Sequence, residues 1–340
     1  MTGTGKERRP LRVALAGAGM ISWHHLTAWR GLGSEIELVA LCDPDAGRAL
    51  DRAREFGVPR TYTDGEAMLA AEAIDALDVA TPRRTHGWWI EAALARDVDV
   101  MCQKPLAPSL DEAQGLARLV TPRARLMVHE NWRFRPWYRE LKRWLEAGDL
   151  GPILSATLSE TSSGLLPDET GRRAGLERQP FMAAEERLMV AEVLIHQLDT
   201  LRWLLGPLRV LAARTAATLP DVRGETLAAI MLETADGAPV FVGGTMAAAG
   251  YPARGQDEVA LVGGRASVAL AGSELRLRGP VPRTASFDFA AGYQASFDTA
   301  IRHFVDCLRS GAVFETDIVD NLETLRLVED AYRAAERRVP

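Results

Sequence analysis

Apolar runs and helical periodicity alternate along the first 130 residues. LRVALAG, IELVALCD, IDALDVAT, VDVMCQ and ARLMVHE read as strands, and the stretches between them carry the spacing of helices. The strand runs are nearly continuous in Val, Leu and Ala, as expected for strands buried on both faces. The alternation predicts an α/β domain over residues 1–130, a doubly wound parallel sheet with helices on either side. Beyond it the pattern changes. NWRFRPWYRELKRWLEAGDLG reads as an amphipathic helix closed by glycine. PILSATLSE, LRVLAARTAAT, ETLAAIMLETADGAPVFVGGTMA, DEVALVGGRASVALAG and ELRLRG then alternate as strands of an antiparallel or mixed sheet. TADGAP and VGGRAS are expected hairpin turns, with Asp-Gly and Gly-Gly supplying residues at positive φ. One helix, about Arg187 to Leu205, interrupts the strands, and two more close the chain. Residues 131–340 are therefore expected to form a second, α+β domain. The segment Ser162 to Glu186, with several Gly, Pro and Arg, is the expected mobile loop over a site.

Composition narrows this only a little. At 340 residues, two domains are the default. Apolar content of 47% and charged content of 25% suit a folded protein, and a net charge of −6 argues against a broad nucleic-acid surface. No apolar run approaches a membrane span, and the polar stretch MTGTGKERRP does not read as a signal peptide. Cys42, Cys102 and Cys307 are odd in number and lack metal-type spacing, so no metal is expected and a cytoplasmic location fits reduced thiols.

RVALAGAGMISWHHL places Gly17 and Gly19 between the first strand and the first helix. The first glycine permits a tight turn; the second lets a pyrophosphate approach the backbone at the helix N-terminus, beside Met20 and Ile21. The third position of the G-x-G-x-x-G pattern is Ser22. Asp43 ends the second strand, where a carboxylate binds ribose hydroxyls and repels a 2′-phosphate, so NAD is expected rather than NADP. ATPRRTH places Thr81, Pro82 and His86 along the same expected cofactor path.

Only three of the 40 basic residues are lysines, Lys6, Lys104 and Lys142. Lys104 sits at a strand end in QKP, where ligands of a doubly wound sheet gather. Two readings stand: a cationic donor for a substrate hydroxyl, or a surface lysine ahead of a helix. In RLMVAEVLIHQLDTLRWLLG, Glu192, His196 and Asp199 fall within roughly 60° on a regular helix, opposite Leu194, Leu198, Leu201 and Leu205. On its own this face reads as solvated, catalytic or, without a second ligand cluster, less readily as metal-binding.

Taken together, the glycine turn, Asp43, TPRRTH, QKP and AEVLIHQLDTLRWLLG resemble the glucose–fructose oxidoreductase / inositol dehydrogenase (Gfo/Idh/MocA) family over nearly the whole chain. The family pattern has Glu-Lys-Pro where this chain has Gln103–Lys104–Pro105, and Asp-x-x-x-His-x-x-Asp where the first position here is Glu192. The resemblance implies NAD(P) binding by the first domain, with Gln103 and Lys104 near the cofactor. It further implies a second domain with a large open sheet that supplies substrate-binding residues, and a homodimer or homotetramer. His196 would be the general base and Lys104 the hydroxyl-positioning group, with Glu192 and Asp199 beside them. HENWRFRPWYRE and RQPF are most similar to the branch containing D-apiose dehydrogenases. The expected activity is NAD-dependent oxidation of a secondary alcohol or lactol carbon of a sugar or polyol. Two rivals are an NAD-dependent glycoside hydrolase working by transient oxidation and a non-catalytic dinucleotide-binding sensor.

Weaker candidates complete the list. Asn131 and Arg133 are placed to reach substrate hydroxyls or a carboxylate. Trp132, Phe134 and Trp137 read as junction packing, and His24, His25 and His303 as structural.

Overall fold

The computed structural model describes residues 9–337; Lys6 and the first eight residues of the polar N-terminal stretch lie outside them. The chain divides into two units, one formed by the sequence up to His129 with Phe297–Asp320, the other by Glu130–Ser296 with the chain from Asn321. The segment 297–320, read from the sequence as part of the second domain, thus belongs with the first unit.

The first unit carries β1 (Leu11–Ala16), α1 (Ser22–Gly31), β2 (Ile36–Cys42), α2 (Ala46–Phe56), β3 (Arg60–Tyr62), α3 (Gly65–Ala71), β4 (Ala76–Val79), α4 (His86–Leu94), β5 (Asp99–Gln103), α5 (Leu110–Ala117) and β6 (Leu126–His129). All neighbours pair in parallel, in the order β3-β2-β1-β4-β5-β6. Strand order reverses between β1 and β4, the switch point at which such sheets hold ligands. β1, β4 and β5 are buried along almost their whole length, which is why their sequences lack polar alternation. Leu15, Leu26, Leu41, Ala53 and Phe56 join β1, α1, β2 and α2 in one apolar cluster. Helix starts follow local chemistry: the carboxylate of Asp45 accepts the Arg48 N–H at the head of α2, and Ser109 caps α5 in the same way.

In the second unit an eight-stranded sheet holds β7 (Ile153–Thr161), β8 (Leu208–Ala216), β9 (Leu227–Thr234), β10 (Pro239–Thr245), β11 (Gln256–Gly263), β12 (Ser267–Ala271), β13 (Glu274–Arg278) and β14 (Arg283–Ser286). The order is β14-β13-β12-β11-β7-β10-β9-β8, antiparallel except for the parallel pair β7–β10. Its helices are α6 (Pro136–Glu146), α7 (Ala174–Arg178) and α8 (Ile195–Leu205), with the first residues of α9 (Phe289–Ser310) and most of α10 (Ile318–Glu336). β11 buries every second residue, so one face of the sheet is covered and the other is not.

Four expectations need correction. The helix from Arg187 to Leu205 is not regular: Met189–Leu194 is a π-helical turn, and the α-helix begins only at Ile195. Nor is it two-faced, because Gln197, Asp199 and Thr200 are as buried as its leucines. Ser162–Glu186 is not structureless; it contains α7 and a 3-10 turn over Pro180–Ala183. Finally, Gly237 in TADGAP does take positive φ, but neither glycine of VGGRAS does. Gly263 is needed there for space, since a Cβ would lie 2.2 Å from the Leu150 carbonyl oxygen. The short β3 and β14 carried no sequence signal.

Candidate functional site

At the glycine turn, the backbone after β1 folds back so that the Gly17 N–H donates to the Cys42 carbonyl at 2.7 Å. Gly17 has φ +99°, and a Cβ there would sit 2.5 Å from the Ala80 carbonyl oxygen, so no other residue fits. A Cβ on Gly19 would meet nothing within 4 Å, which leaves the backbone approachable from outside. Met20 is 40% exposed beside it, and Ile21 precedes α1. Ser22, standing where the motif has a third glycine, is fully buried and donates its hydroxyl to the Gly19 carbonyl at 2.6 Å. The turn is therefore held by a side chain where glycine would have allowed only close packing. Asp43 accepts the Ala18 N–H at 2.8 Å and the Asp45 N–H at 2.9 Å, tying the end of β2 to the turn, with Arg48 3.3 Å away.

His86 does not stand open along the cofactor path. It is 1% exposed, with Nε2 2.8 Å from the Thr81 carbonyl and Nδ1 3.1 Å from that of Pro105. Burial lowers its pKa; a neutral ring carries one N–H, so it donates to the carbonyl on one side while its other nitrogen only adjoins the carbonyl on the other. Thr81 and Pro82 form the start of that first segment, the Thr85 hydroxyl donating to the Thr81 hydroxyl at 2.8 Å. Lys104 follows β5, half-buried, with a cis bond to Pro105. Gln103 points inward: its amide nitrogen lies 2.7 Å from His25 Nε2 and 3.0 Å from His129 Nδ1, and its oxygen accepts the Lys104 N–H at 3.3 Å. An amide NH2 only donates, so both imidazole nitrogens accept. Burial, with His25 alongside, keeps His129 well below the usual histidine range, in accord with that role. His25 passes its other nitrogen to Asp78 at 2.8 Å.

In the second unit the geometry centres on His196. Its Nδ1 donates to the carboxylate of Glu130, which is fully buried and also accepts the Trp132 N–H. The Trp132 indole stacks on the imidazole at 3.7 Å between centroids and 11° between planes. The Arg135 guanidinium covers the indole at 3.4 Å. Beneath them Asp257, 2% exposed, accepts from Trp132 Nε1 at 2.9 Å, Tyr138 at 2.7 Å, Gln197 at 2.8 Å and Arg135 at 3.4 Å.

The remaining candidates lie elsewhere. Asp199 does not accompany His196; it takes Arg133 Nε at 2.7 Å and the Thr324 hydroxyl at 2.8 Å, and the Arg133–Asp199 pair is almost wholly buried. Asn131 donates to Ser296 at 2.7 Å and is 3% exposed. Glu192 is buried within the π-helical turn that precedes His196. The carboxylate that orients the imidazole is Glu130, which sequence reasoning passed over. Its signal was present: Glu130 directly follows β6, the kind of strand-end position that singled out Lys104. Among the described residues no group of His, Cys, Asp and Glu is arranged to hold a metal, and no helix is long and apolar enough to cross a membrane.

The NAD-binding Rossmann fold of an oxidoreductase family, GFO/IDH/MocA, matches residues 11–130, and the GFO/IDH/MocA C-terminal domain matches residues 138–269. A D-apiose dehydrogenase from Paraburkholderia graminis is 34% identical over 95% of this chain and 87% of its own length. An inositol 2-dehydrogenase from Saccharopolyspora erythraea is 30% identical over 90% and 87%. The crystal structure of an oxidoreductase from Agrobacterium radiobacter in complex with NAD+, L-tartaric acid and magnesium superposes with a TM-score of 0.88, at 30% identity over 96% of each chain. A six-stranded parallel sheet with a glycine turn at its first strand, joined to a large mostly antiparallel sheet, defines an NAD-binding oxidoreductase. The chain belongs to the GFO/IDH/MocA family.

Proposed function

We propose that this chain oxidises a secondary alcohol or lactol carbon of a sugar or polyol, with His196 as general base and Lys104 as the hydrogen-bond donor to the reacting hydroxyl. The observation that carries the reading is the buried Glu130–His196 hydrogen bond. A carboxylate on Nδ1 fixes the proton there, so the lone pair of the neutral ring is on Nε2, and it stabilises the imidazolium that forms when a hydroxyl proton arrives. Trp132 holds the ring plane from one side.

The residues of the first unit fit a dinucleotide: a turn where only glycine fits at position 17, an approachable backbone at Gly19, and a carboxylate at Asp43. Gly17, Gly19, Met20 and Ile21 would hold the pyrophosphate and Asp43 the ribose, its charge favouring NAD over NADP. When bound, NAD supplies the acceptor for the hydride. Thr81, Pro82 and the backbone around Lys104 would flank it, their segments spaced by His86 and Gln103. Lys104 offers a cationic donor that lowers the cost of developing alkoxide character.

Names among the relatives guide the substrate class, D-apiose and inositol being a branched sugar and a cyclic polyol. The open face of the second sheet supports self-association. Ala260, Thr157, Phe241, Met231 and Ala212 lie in one cross-strand row, with Phe241 44% and Met231 38% exposed. The test of function is NADH formation across a panel of sugars and polyols that includes D-apiose and myo-inositol, with His196→Asn as control. Turnover that disappears in the variant is expected; no NADH from any panel member, under conditions where NAD binds, overturns the reading.

A further inference from the structure

One carboxyl group beside the His196 cluster is used by nothing described above. Glu160 stands near the end of β7, directly opposite Asp257 of β11 in the antiparallel register. Two acidic side chains in such a pair share one face of the sheet at close quarters. Here that face is the buried one, carrying Ala156 and Leu158 on β7 and Val259 and Leu261 on β11. Glu160 is pressed against the backbone before β11, since a Cβ on Gly255 would fall 1.5 Å from its Oε1. On the other side, a Cβ on Gly244 of β10 would meet the Glu160 carbonyl at 2.2 Å and the Met189 methyl at 2.7 Å. Gly255 thus makes room for the side chain, and Gly244 lets β10 pack against the backbone of Glu160.

Its partners do not match that accommodation. Asp257 has four donors, from Trp132, Arg135, Tyr138 and Gln197. Glu160 Oε2 is buried with no hydrogen-bond partner among the described residues. A second orphan adjoins Asp257: Gln197, fully buried, gives its amide nitrogen to Asp257 and leaves Oε1 without a partner among the described residues. The amide cannot be turned round, because a carboxylate only accepts. Buried polar atoms left unmatched in a folded chain call for a ligand or water. Both belong to residues adjoining Asp257, and Gln197 is next in sequence to His196.

We propose that Glu160 is a specificity-determining residue of this site, its neutral carboxyl group hydrogen-bonding a hydroxyl of the sugar or polyol other than the one His196 deprotonates. The inference rests on the dehydrogenase reading above and names a recognition element for the same site. A protonated carboxyl both donates and accepts, the same pair of roles that each alcohol of a polyol offers. Burial and the facing Asp257 raise the Glu160 pKa to about 8, against the opposing effects of Arg178 on α7 and Arg135 before α6. Tyr138, the other titratable group on Asp257, is held in its neutral form by burial. Gln197, Gly244, Gly255 and Met189 bring no charge.

The test uses the full chain with saturating NAD and has two readouts. Difference infrared spectra of the wild type against Glu160→Gln are expected to contain the carbonyl band of a protonated carboxyl. That band should fade as pH passes about 8 and shift when D-apiose is added. In kinetics, the wild-type KM for D-apiose is expected to rise about tenfold from pH 7 to pH 9, as the donating form is titrated away. In Glu160→Gln, which keeps a neutral donor, that rise should be absent. Parallel KM profiles in the two proteins, or a band indifferent to the sugar, would overturn the proposal. Should the wild type turn over no sugar at all, the dehydrogenase reading fails, and the infrared response to D-apiose alone decides the role of Glu160.

Discussion

Replacing Glu130 by Gln isolates the contribution of the carboxylate on His196. The substitution keeps the size of the side chain; the Trp132 N–H and His196 Nδ1 meet the same oxygen, so the amide oxygen serves both or, with the amide turned round, neither. Two things change. The charge-assisted hydrogen bond to the imidazolium is lost; for a fully buried partner this is worth about 1.5–3 kcal/mol. At about 1.4 kcal/mol per factor of ten, kcat falls roughly 10- to 150-fold. In addition, a glutamine NH2 turned toward Nδ1 would donate to it and drive the ring proton to Nε2, where the base is needed. Gln103 already makes that type of contact to His25 and His129. The upper end of the range is therefore expected. Steady-state oxidation of D-apiose measures kcat and KM, while quenching of intrinsic fluorescence gives NAD affinity. A variant that folds, binds NAD like the wild type and retains kcat within about threefold would refute the assignment of Glu130 and, with it, the orientation argued for His196.

Other expectations are independent of that pair. Arg133→Met leaves Asp199 buried without its bidentate partner, a loss of about 3–5 kcal/mol that thermal unfolding should register as a drop of roughly 6–15 °C; a changed KM at unchanged stability would instead make Arg133 a substrate contact. Phe241→Glu, in the centre of the exposed row on the second sheet, should shift the chain to a smaller species in sedimentation velocity, and an unaltered distribution argues against association through that face. Because the Glu160 pKa is raised in the folded chain, from 4.5 to about 8, the native state holds a proton that the unfolded state releases between those values. Folding is thus penalised progressively as pH rises through that window, with no penalty below it. The unfolding temperature of Glu160→Gln should exceed that of the wild type at pH 8 and match it at pH 4; a constant difference would show that Glu160 is not the group titrating.

Most of the first unit was legible because its strands are buried on both faces and so appear as unbroken apolar words. The glycine turn and Asp43 were legible because backbone geometry demands them. β3, three residues long and largely exposed, offers no such word. In the second unit the reading failed where it assumed one helical period. A π-helical turn over Met189–Leu194 replaces the regular helix that the spacing assumed for Glu192. Asp199 looked like a partner of His196 because it is near in sequence. Its true partner, Arg133, is 66 residues away, as is Glu130 from His196. Local spacing cannot detect pairs that tertiary packing creates. The face of Glu192, His196 and Asp199, which a solvated stripe would have explained, is buried at all three positions, with Asp199 engaged by partners from distant elements.

The central claim is that Lys104 and His196 act on the same hydroxyl. A double-mutant comparison of kcat/KM with D-apiose and NAD, using Lys104→Met, His196→Asn and the two combined, tests it most directly. Groups that serve one proton transfer act as a unit, so the combined variant should be scarcely slower than the worse single variant. Losses that multiply, or a Lys104→Met enzyme with undiminished kcat/KM, would contradict it.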